Sequence, residues 1–520
     1  MGMRALGKLC FVAGLVVLLL LALLGMVRAA GRAEDRLPPP RVAAGVWSAT
    51  AGGAEAEYLL VLDEQAALDG VAVMEARDVR LRTIYDRLRA TALHSQGPVR
   101  AELEAAGVPY RPFYIVNMLL VRGDRTLLTR LAGRPDVAYI VGNPRVRQAL
   151  PVIRATESSA MPLGSVPWGV QKVRAVEVWS LGYTGTGIVV AGADTGYWWS
   201  HPALIRQYRG YNGVTATHDY HWHDAVHTGG GTLCPEDSPV PCDGFPSSHG
   251  THTMGTMVGD DGAGQQVGVA PGARWIGCRN MDGNGYGTPA RYAECFEFFL
   301  APYPIGGDPF TDGVPSLAPH VVNHSWSCTP AEGCSGAEIT QTLQPAVEAL
   351  RAAGIVVVAS AGNAGAGGCS TVSEPIAIYE AAFTVGATDV ADAIAGFSSR
   401  GPVTIDGSGR LKPDLSAPGV GITSSVQYGY ASLSGTSMAG PHVAGTVALL
   451  WSAAPAYMGQ VAATEHLIER SARLRLDTTC GGAPGGVPNN VYGWGVVDAL
   501  AAVQQALSYR WGYLPLVWKG

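Results

Sequence analysis

Charge is scarce in this chain. Asp, Glu, Lys and Arg together make up 15% of 520 residues, against about a quarter in ordinary soluble domains. Disordered and coiled-coil chains are rich in charge, so neither class fits. The net charge is −6 and no long run of Lys or Arg occurs, which argues against a nucleic-acid partner. There is no Cys-x-x-Cys pair, the spacing on which zinc clusters are commonly built. There is no Asp-x-Asp-x-Asp-Gly loop either, so structural calcium, if held, has no ligand set that can be named. After residue 27 no stretch approaches about 18 uninterrupted apolar residues, so the remainder is expected to carry no membrane span.

What is present points to export. Arg4 and Lys8 precede an apolar run from Cys10 to Val27, and Val27-Arg28-Ala29 then supplies the small residues of a signal-peptidase site. Residues 1–29 therefore read as a signal peptide, with a retained anchor as the rival reading. Eight cysteines follow Cys10, an even number that in an exported chain reads as disulfides. Eight cysteines allow about 105 connectivities. Short loops favour Cys234 with Cys242 and Cys328 with Cys334. Cys278 with Cys295 would tie a strand to the helix after it, which leaves Cys369 with Cys480.

The length predicts more than one folded unit. Pro38-Pro39-Pro40 opens a section, 30–150, with its own pattern. Strands are expected at Glu57–Leu62, Tyr114–Val121 and Val137–Val141. Helical periodicity covers Val79–Ala106, broken at Gly97-Pro98, and resumes at Leu127–Leu131. A β-α-β-β-α-β unit fits this order. Residues 151–167, rich in Ser, Pro and Gly, read as an exposed linker. From 168 to 508 short apolar runs alternate with Gly-rich turns and helices: Ile188–Ala193, Arg274–Cys278, Val321–Trp326, Ile355–Ala359 and Phe383–Ala387. Such alternation predicts an α/β fold with a mainly parallel sheet covered on both faces. Residues 509–520 form an apolar tail to which the sequence assigns no role.

Ligands of such sheets bind beyond the carboxyl ends of the strands, and three chemically suggestive residues fall there or at helix starts. Asp194 lies in Ala-Gly-Ala-Asp-Thr-Gly, His249 opens His-Gly-Thr-His-Thr-Met-Gly-Thr, and Ser437 sits in Ser-Gly-Thr-Ser-Met-Ala-Gly-Pro-His-Val-Ala-Gly. A serine hydroxyl is a poor nucleophile until a base takes its proton, and that base needs a partner to fix its tautomer. Pro441 is expected in the first turn of the helix that follows Ser437, where a missing N–H costs little. No Gly-x-Ser-x-Gly surrounds Ser437, and the order Asp, His, Ser differs from that of lipase-type and chymotrypsin-type hydrolases.

These motifs closely resemble the subtilisin-like serine proteases. Within that family Cys278-Arg-Asn-Met, Phe397-Ser-Ser-Arg-Gly-Pro, Lys412-Pro-Asp-Leu-Ser-Ala-Pro-Gly and Arg209-Gly-Tyr-Asn resemble the bacillopeptidase F group. The resemblance implies a three-layer α/β peptidase domain and endopeptidase chemistry through Asp194, His249 and Ser437, with Asn363 in the oxyanion hole. It implies substrate contacts at Ser325, Trp326 and Ser327 on one cleft edge, at Gly285 on the other, and at Gly362. No cofactor is required and no metal residue is assigned. Partners would be protein or peptide substrates of a secreted monomer. The section 30–150 resembles the propeptide that chaperones and inhibits such enzymes, so self-processing is expected between Arg147 and Trp168. Ser248 stands where many relatives have Gly, and Trp326-Ser327 replaces a smaller Leu-Gly pair. His252 reads as packing. The cluster His218, His221, His223 and His227 could suit a transition metal, but reads better as an ordered insertion near the cleft.

Overall fold

A computed structural model describes residues 39–72, 74, 76–150, 164–244, 247–326 and 336–509. The signal segment 1–29, most of the linker, Ser327, the pair Cys328 and Cys334, and the tail from 510 lie outside these residues.

The first unit is a four-stranded antiparallel sheet in the order β2-β3-β1-β4. Its elements are β1 (Ala56–Leu62), α1 (Arg77–Ser95), α2 (Gly97–Ala105), β2 (Tyr110–Phe113), β3 (Met118–Gly123), α3 (Arg125–Ala132) and β4 (Val137–Gly142). The helix breaks at Gln96, where Gly97-Pro98 begins the next helix with Pro in its first turn. The single strand expected at Tyr114–Val121 is instead part of a hairpin that turns at residues 114–117. The turn is held from outside its own unit: the backbone N–H groups of Tyr114 and Ile115 donate to Glu297 Oε1 at 2.5 and 3.1 Å. Along β1 all of Tyr58 to Leu62 is buried, because both faces of the sheet are covered. Tyr58, Leu60 and Leu62 pack with Val99, Leu103 and Leu128 of the unit's own helices. Leu59 and Val61 belong to a larger core that includes Phe296 and Phe299 of the second unit.

A short strand, β5 (Val146–Arg147), leads out of the first unit. The second unit is built on a seven-stranded parallel sheet in the order β13-β12-β11-β10-β6-β8-β7. These are β6 (Val189–Asp194), β7 (Trp222–Asp224), β8 (Arg274–Arg279), β10 (Val321–His324), β11 (Val356–Ser360), β12 (Phe383–Thr388) and β13 (Leu415–Pro418). Alternate residues of each strand enter different cores, as the period of two requires. Val190, Val321, Val356 and Val358 face Met254 of α4 (His249–Val258) and Val443 and Val447 of α7 (Thr436–Ala453). Ala191, Val322, Val357 and Ala359 face Phe296 of α5 (Pro289–Leu300) and Val347 of α6 (Gly336–Ala352). Helix α7 is buried on every side, which suits its run of Ala, Gly, Val and Leu. β7 and β13 are sheet edges that the apolar runs did not reveal: β7 has three residues, one His and one Asp, and β13 ends at Pro418, which only an edge tolerates. A hairpin of β14 (Ile422–Val426) and β15 (Gly429–Leu433) lies against α4.

Three of the expected disulfides are present, Cys234–Cys242, Cys278–Cys295 and Cys369–Cys480. The second joins β8 to α5. Among the described residues no helix is long and apolar enough to cross a membrane.

Candidate active site

Three elements meet above the carboxyl ends of the central strands. Asp194 is the last residue of β6, His249 the first of α4 and Ser437 the second of α7. All three are at most 4% exposed. His249 Nδ1 is 2.7 Å from Asp194 Oδ1, which also accepts the Thr195 N–H at 2.7 Å. Burial opposes a charge on the His249 ring, but the Asp194 carboxylate, with Asp243 further off, outweighs it and raises the pKa above its ordinary value of 6.5. Ser248 precedes α4 at φ 44°, a left-handed conformation that favours glycine. Its hydroxyl accepts the Gln427 N–H at 3.2 Å, a bond that glycine could not make.

The helix that carries Ser437 is joined to Ser325 at a proline. Helix α7 begins at Thr436, so Pro441 stands in its second turn and not its first. Having no N–H, Pro441 leaves the Ser437 carbonyl without the usual i→i−4 donor. Ser325 supplies it: its hydroxyl donates to the Ser437 carbonyl at 2.9 Å and accepts from Asn323 Nδ2 at 2.7 Å. In return the Ser437 hydroxyl donates to the Ser325 carbonyl at 3.1 Å. Asn363 lies beside the same helix end, where Oδ1 accepts the Thr436 N–H at 2.9 Å and the Thr436 hydroxyl at 3.0 Å. Its Nδ2 and the N–H of Ser437, a first-turn donor, border the space beside Gly435, each nitrogen 3.7 Å from where a Cβ there would stand.

That space is bordered by the chain itself. β5 pairs antiparallel with β9 (Tyr286–Gly287), Val146 opposite Gly287 and Arg147 opposite Tyr286. The Gln148 N–H then donates to the Gly285 carbonyl at 2.9 Å, and Gln148 Nε2 reaches the Ser325 carbonyl at 3.1 Å. Gly285 has φ +82°, and an added Cβ would come within 2.5 Å of the Gln148 carbonyl oxygen. Only glycine permits this approach. Arg145 strengthens the contact through Asp282 at 3.1 Å and by stacking 3.8 Å over the Tyr286 ring. The structure thus brings Gly285 and Ser325 to the same segment of chain. Trp326 is buried with its ring stacked on Tyr292 at 4.0 Å. Gly362, at φ +100°, is also buried, and an added Cβ there would meet the Glu374 carboxylate at 2.9 Å.

Two further residues escaped the reading of the sequence. Asp243 is buried beneath the Asp194–His249 pair and accepts from Thr195 Oγ1 at 2.7 Å and from the Thr251 N–H at 2.9 Å. Burial raises its carboxyl to about 6. Its place six residues before His249 was the one available signal. Gln148 had none, because its contacts depend on how the first unit docks. The expected packing role of His252 holds: Nε2 donates to the Ile422 carbonyl at 2.9 Å and burial pushes its pKa down to about 3. The four clustered histidines separate. His218 bonds Tyr208 at 3.0 Å and His221 accepts from Arg209 at 2.9 Å, whereas His223 and His227 face Glu294. Among the described residues no group of three or more His, Cys, Asp or Glu side chains is arranged as a metal site.

Comparison with known proteins agrees with this geometry. The sequence model of the subtilase family (Peptidase S8) matches residues 185–495. Bacillopeptidase F of Bacillus subtilis (strain 168) is 36% identical over 411 residues, 75% of this chain, while the chain spans only 26% of that protein's length. Subtilisin Savinase of Lederbergia lenta is 33% identical over 342 residues, 65% of this chain and 99% of its own length. Subtilisin E of Bacillus subtilis (strain 168) is 30% identical over 356 residues, 68% of this chain and 75% of its own.

The Ser325 contact makes a stability prediction. In a Ser437→Ala background, which keeps the backbone carbonyl, Ser325→Ala leaves that carbonyl and the Asn323 amide buried without this partner. The expected cost is on the order of 1–3 kcal/mol, read as a lowered urea midpoint at unchanged slope. An unchanged midpoint would show that the helix end does not depend on the strand.

Proposed function

The chain belongs to the subtilase family of serine peptidases, and on that premise we propose that it is exported as a precursor and cuts peptide bonds through Ser437, His249 and Asp194. The observation that carries this reading is the seating of residues 146–148. Val146 and Arg147 form a strand against β9, the Gln148 N–H extends it to the Gly285 carbonyl, and Gln148 shares the Ser325 carbonyl with the Ser437 hydroxyl. A polypeptide substrate would add to the same edge, main chain to main chain.

In the proposed reaction the Ser437 hydroxyl turns from the Ser325 carbonyl toward His249. Oγ attacks the substrate carbonyl carbon as His249 Nε2 takes its proton, and Asp194 holds the Nδ1 proton throughout. The carbonyl oxygen gathers negative charge between Asn363 Nδ2 and the Ser437 N–H, donors that need no rearrangement at that moment. Collapse expels the amine, which leaves with the proton from His249. Water then cleaves the acyl-enzyme with His249 again as base. These steps draw on no cofactor, and any bound calcium would serve stability. Asp243 acts as a positioning residue, since it fixes Thr195 and Thr251 on either side of the Asp194–His249 pair.

The base assignment fixes the direction of the acid limb. His249 is a base only when neutral, and its pKa is raised from 6.5. The kcat/KM of the processed enzyme should therefore fall to half above pH 6.5, with a slope of one proton. A profile that stays flat down to pH 4 contradicts the role of His249.

Residues 30–150 would then be an intramolecular inhibitor, held at high effective concentration while still attached. The seating of Gln148 supports a first cut within two or three residues after it, followed by trimming toward Trp168. Ser437→Ala precursor should accumulate uncut, while the wild-type chain yields a new N-terminus between 149 and 168. N-terminal sequencing of both, purified from a protease-deficient host, decides this. Trimming of the serine variant at the same bond would assign the processing to another enzyme.

A further inference from the structure

Away from the cleft, the second unit builds a socket that holds an arginine of the first. Arg111 of β2 sends one guanidinium nitrogen to Glu294 Oε1 and the other to His227 Nε2. The Glu294 side chain is 2% exposed. His223 Nε2 lies 2.6 Å from Glu294 Oε1 and 3.2 Å from the Tyr303 hydroxyl. His227 Nε2 lies 3.0 Å from Glu294 Oε2, and its Nδ1 faces Asp237. These groups open into a cavity of about 350 Å³ whose wall is completed by Trp222, Asp224, Ser238, Ile305 to Gly307 and Pro309. Apart from Arg111, every lining residue belongs to the second unit.

The walls are fixed independently of the first unit. Trp222 to Asp224 is a strand of the main sheet. Asp224 accepts a two-pronged ion pair from the buried Arg279 of β8, at 2.8 and 2.7 Å. The loop beyond is closed by Cys234–Cys242, and Glu294 stands on α5. Departure of the first unit would therefore leave the socket formed, and its deeply buried carboxylate would lose the guanidinium. Burial alone would raise the Glu294 pKa, yet Arg111 and His223 hold it well below the usual carboxylate range. His223 and His227 stay bonded to the carboxylate, and an incoming guanidinium would restore the charge-assisted contact that Arg111 makes to it. Burial opposes a charge on His227, but its bonds to Glu294 and Asp237 raise its pKa to about 9, so its ring nitrogens donate and the acceptor offered to an arginine is Glu294.

The socket is also close to the cleft. α5 starts two residues after β9, and Glu294 lies five residues beyond that start, roughly 8 Å along the helix. The segment just before Val146 already crosses this helix end, where Asn143 Oδ1 accepts the Ala290 N–H at 3.0 Å. A polypeptide seated like β5 thus extends its N-terminal side toward the socket.

We propose that in the processed enzyme the Glu294–His223–His227–Asp237 socket is an exosite for an arginine side chain, carried by a protein substrate or inhibitor upstream of the segment lying in the cleft. This rests on removal of residues 30–150, so the test uses enzyme whose N-terminus has been sequenced and starts beyond Gln148. The probe is the peptide aldehyde Val-Ala-Gln-Ala-H, bare or extended at its N-terminus by six Gly/Ser residues ending in arginine, citrulline or lysine. Such a linker spans roughly 13 Å. The arginine peptide should inhibit about tenfold more tightly than the citrulline peptide, as expected for a charge-assisted hydrogen bond, with lysine close to arginine. The arginine advantage should vanish in Glu294→Gln, and the arginine–citrulline comparison on wild-type enzyme decides alone if that variant fails to fold. The bare aldehyde should inhibit both enzymes equally. Equal inhibition by the arginine and citrulline peptides of wild-type enzyme overturns the exosite. Failure of the bare aldehyde to inhibit would instead count against the cleft assignment.

Discussion

The paired hydrogen bonds between Ser325 and Ser437 hold this molecule's working parts in register. A proline in the second turn of α7 removes one backbone donor, and the freed carbonyl is that of Ser437. A buried carbonyl must find a partner, and the one it finds is on the strand that borders the cleft. Ser437, Ser325 and the central strand of the sheet therefore cannot shift independently. The carbonyl of Ser325 is then the meeting point of the Ser437 hydroxyl and the Gln148 amide. Local helix chemistry thereby sets where residues 146–148 lie relative to the Ser437 hydroxyl.

The first unit is tied to the second by more than the strand in the cleft. Leu59 and Val61 share a core with Phe296 and Phe299. Glu297 caps the turn at Tyr114 and Ile115, and Glu294 holds Arg111. All four of these second-unit residues stand on α5, which follows directly from the cleft edge β9. One helix thus carries apolar packing, a turn cap and an ion pair to the same partner. Burial of apolar area on both sides of the small sheet explains why β1 is apolar throughout rather than alternating.

Much of this was legible in the sequence, because the main strands are buried on both faces and read as unbroken apolar runs. Val189–Asp194 and Val356–Ser360 were expected within a residue of their observed ends. The edges were not legible: β7 and β13 are short and carry polar residues or proline, since water or a loop covers one side. The sequence predicts one strand over Tyr114–Val121 where a hairpin turns, because that turn depends on Glu297, some 180 residues away in the chain. Asp194, His249 and Ser437 could be found from motifs, and the structure brings Asp194 and His249 into direct contact. Pro441 was misplaced by one turn because the helix starts only one residue before Ser437. The histidine cluster looks like one group in the sequence, yet only His223 lies in the strand Trp222–Asp224, and the others sit in the turns around it, where His218 and His221 bond Tyr208 and Arg209 and His227 joins His223 at Glu294.

The central claim is that Ser437 is a nucleophile activated by His249. Processed enzyme incubated with a fluorophosphonate, digested and analysed by mass spectrometry tests it most directly. The account predicts a single stoichiometric adduct on Ser437, formed far more slowly in His249→Ala enzyme. An unlabelled Ser437, or labelling at the same rate without His249, would contradict it.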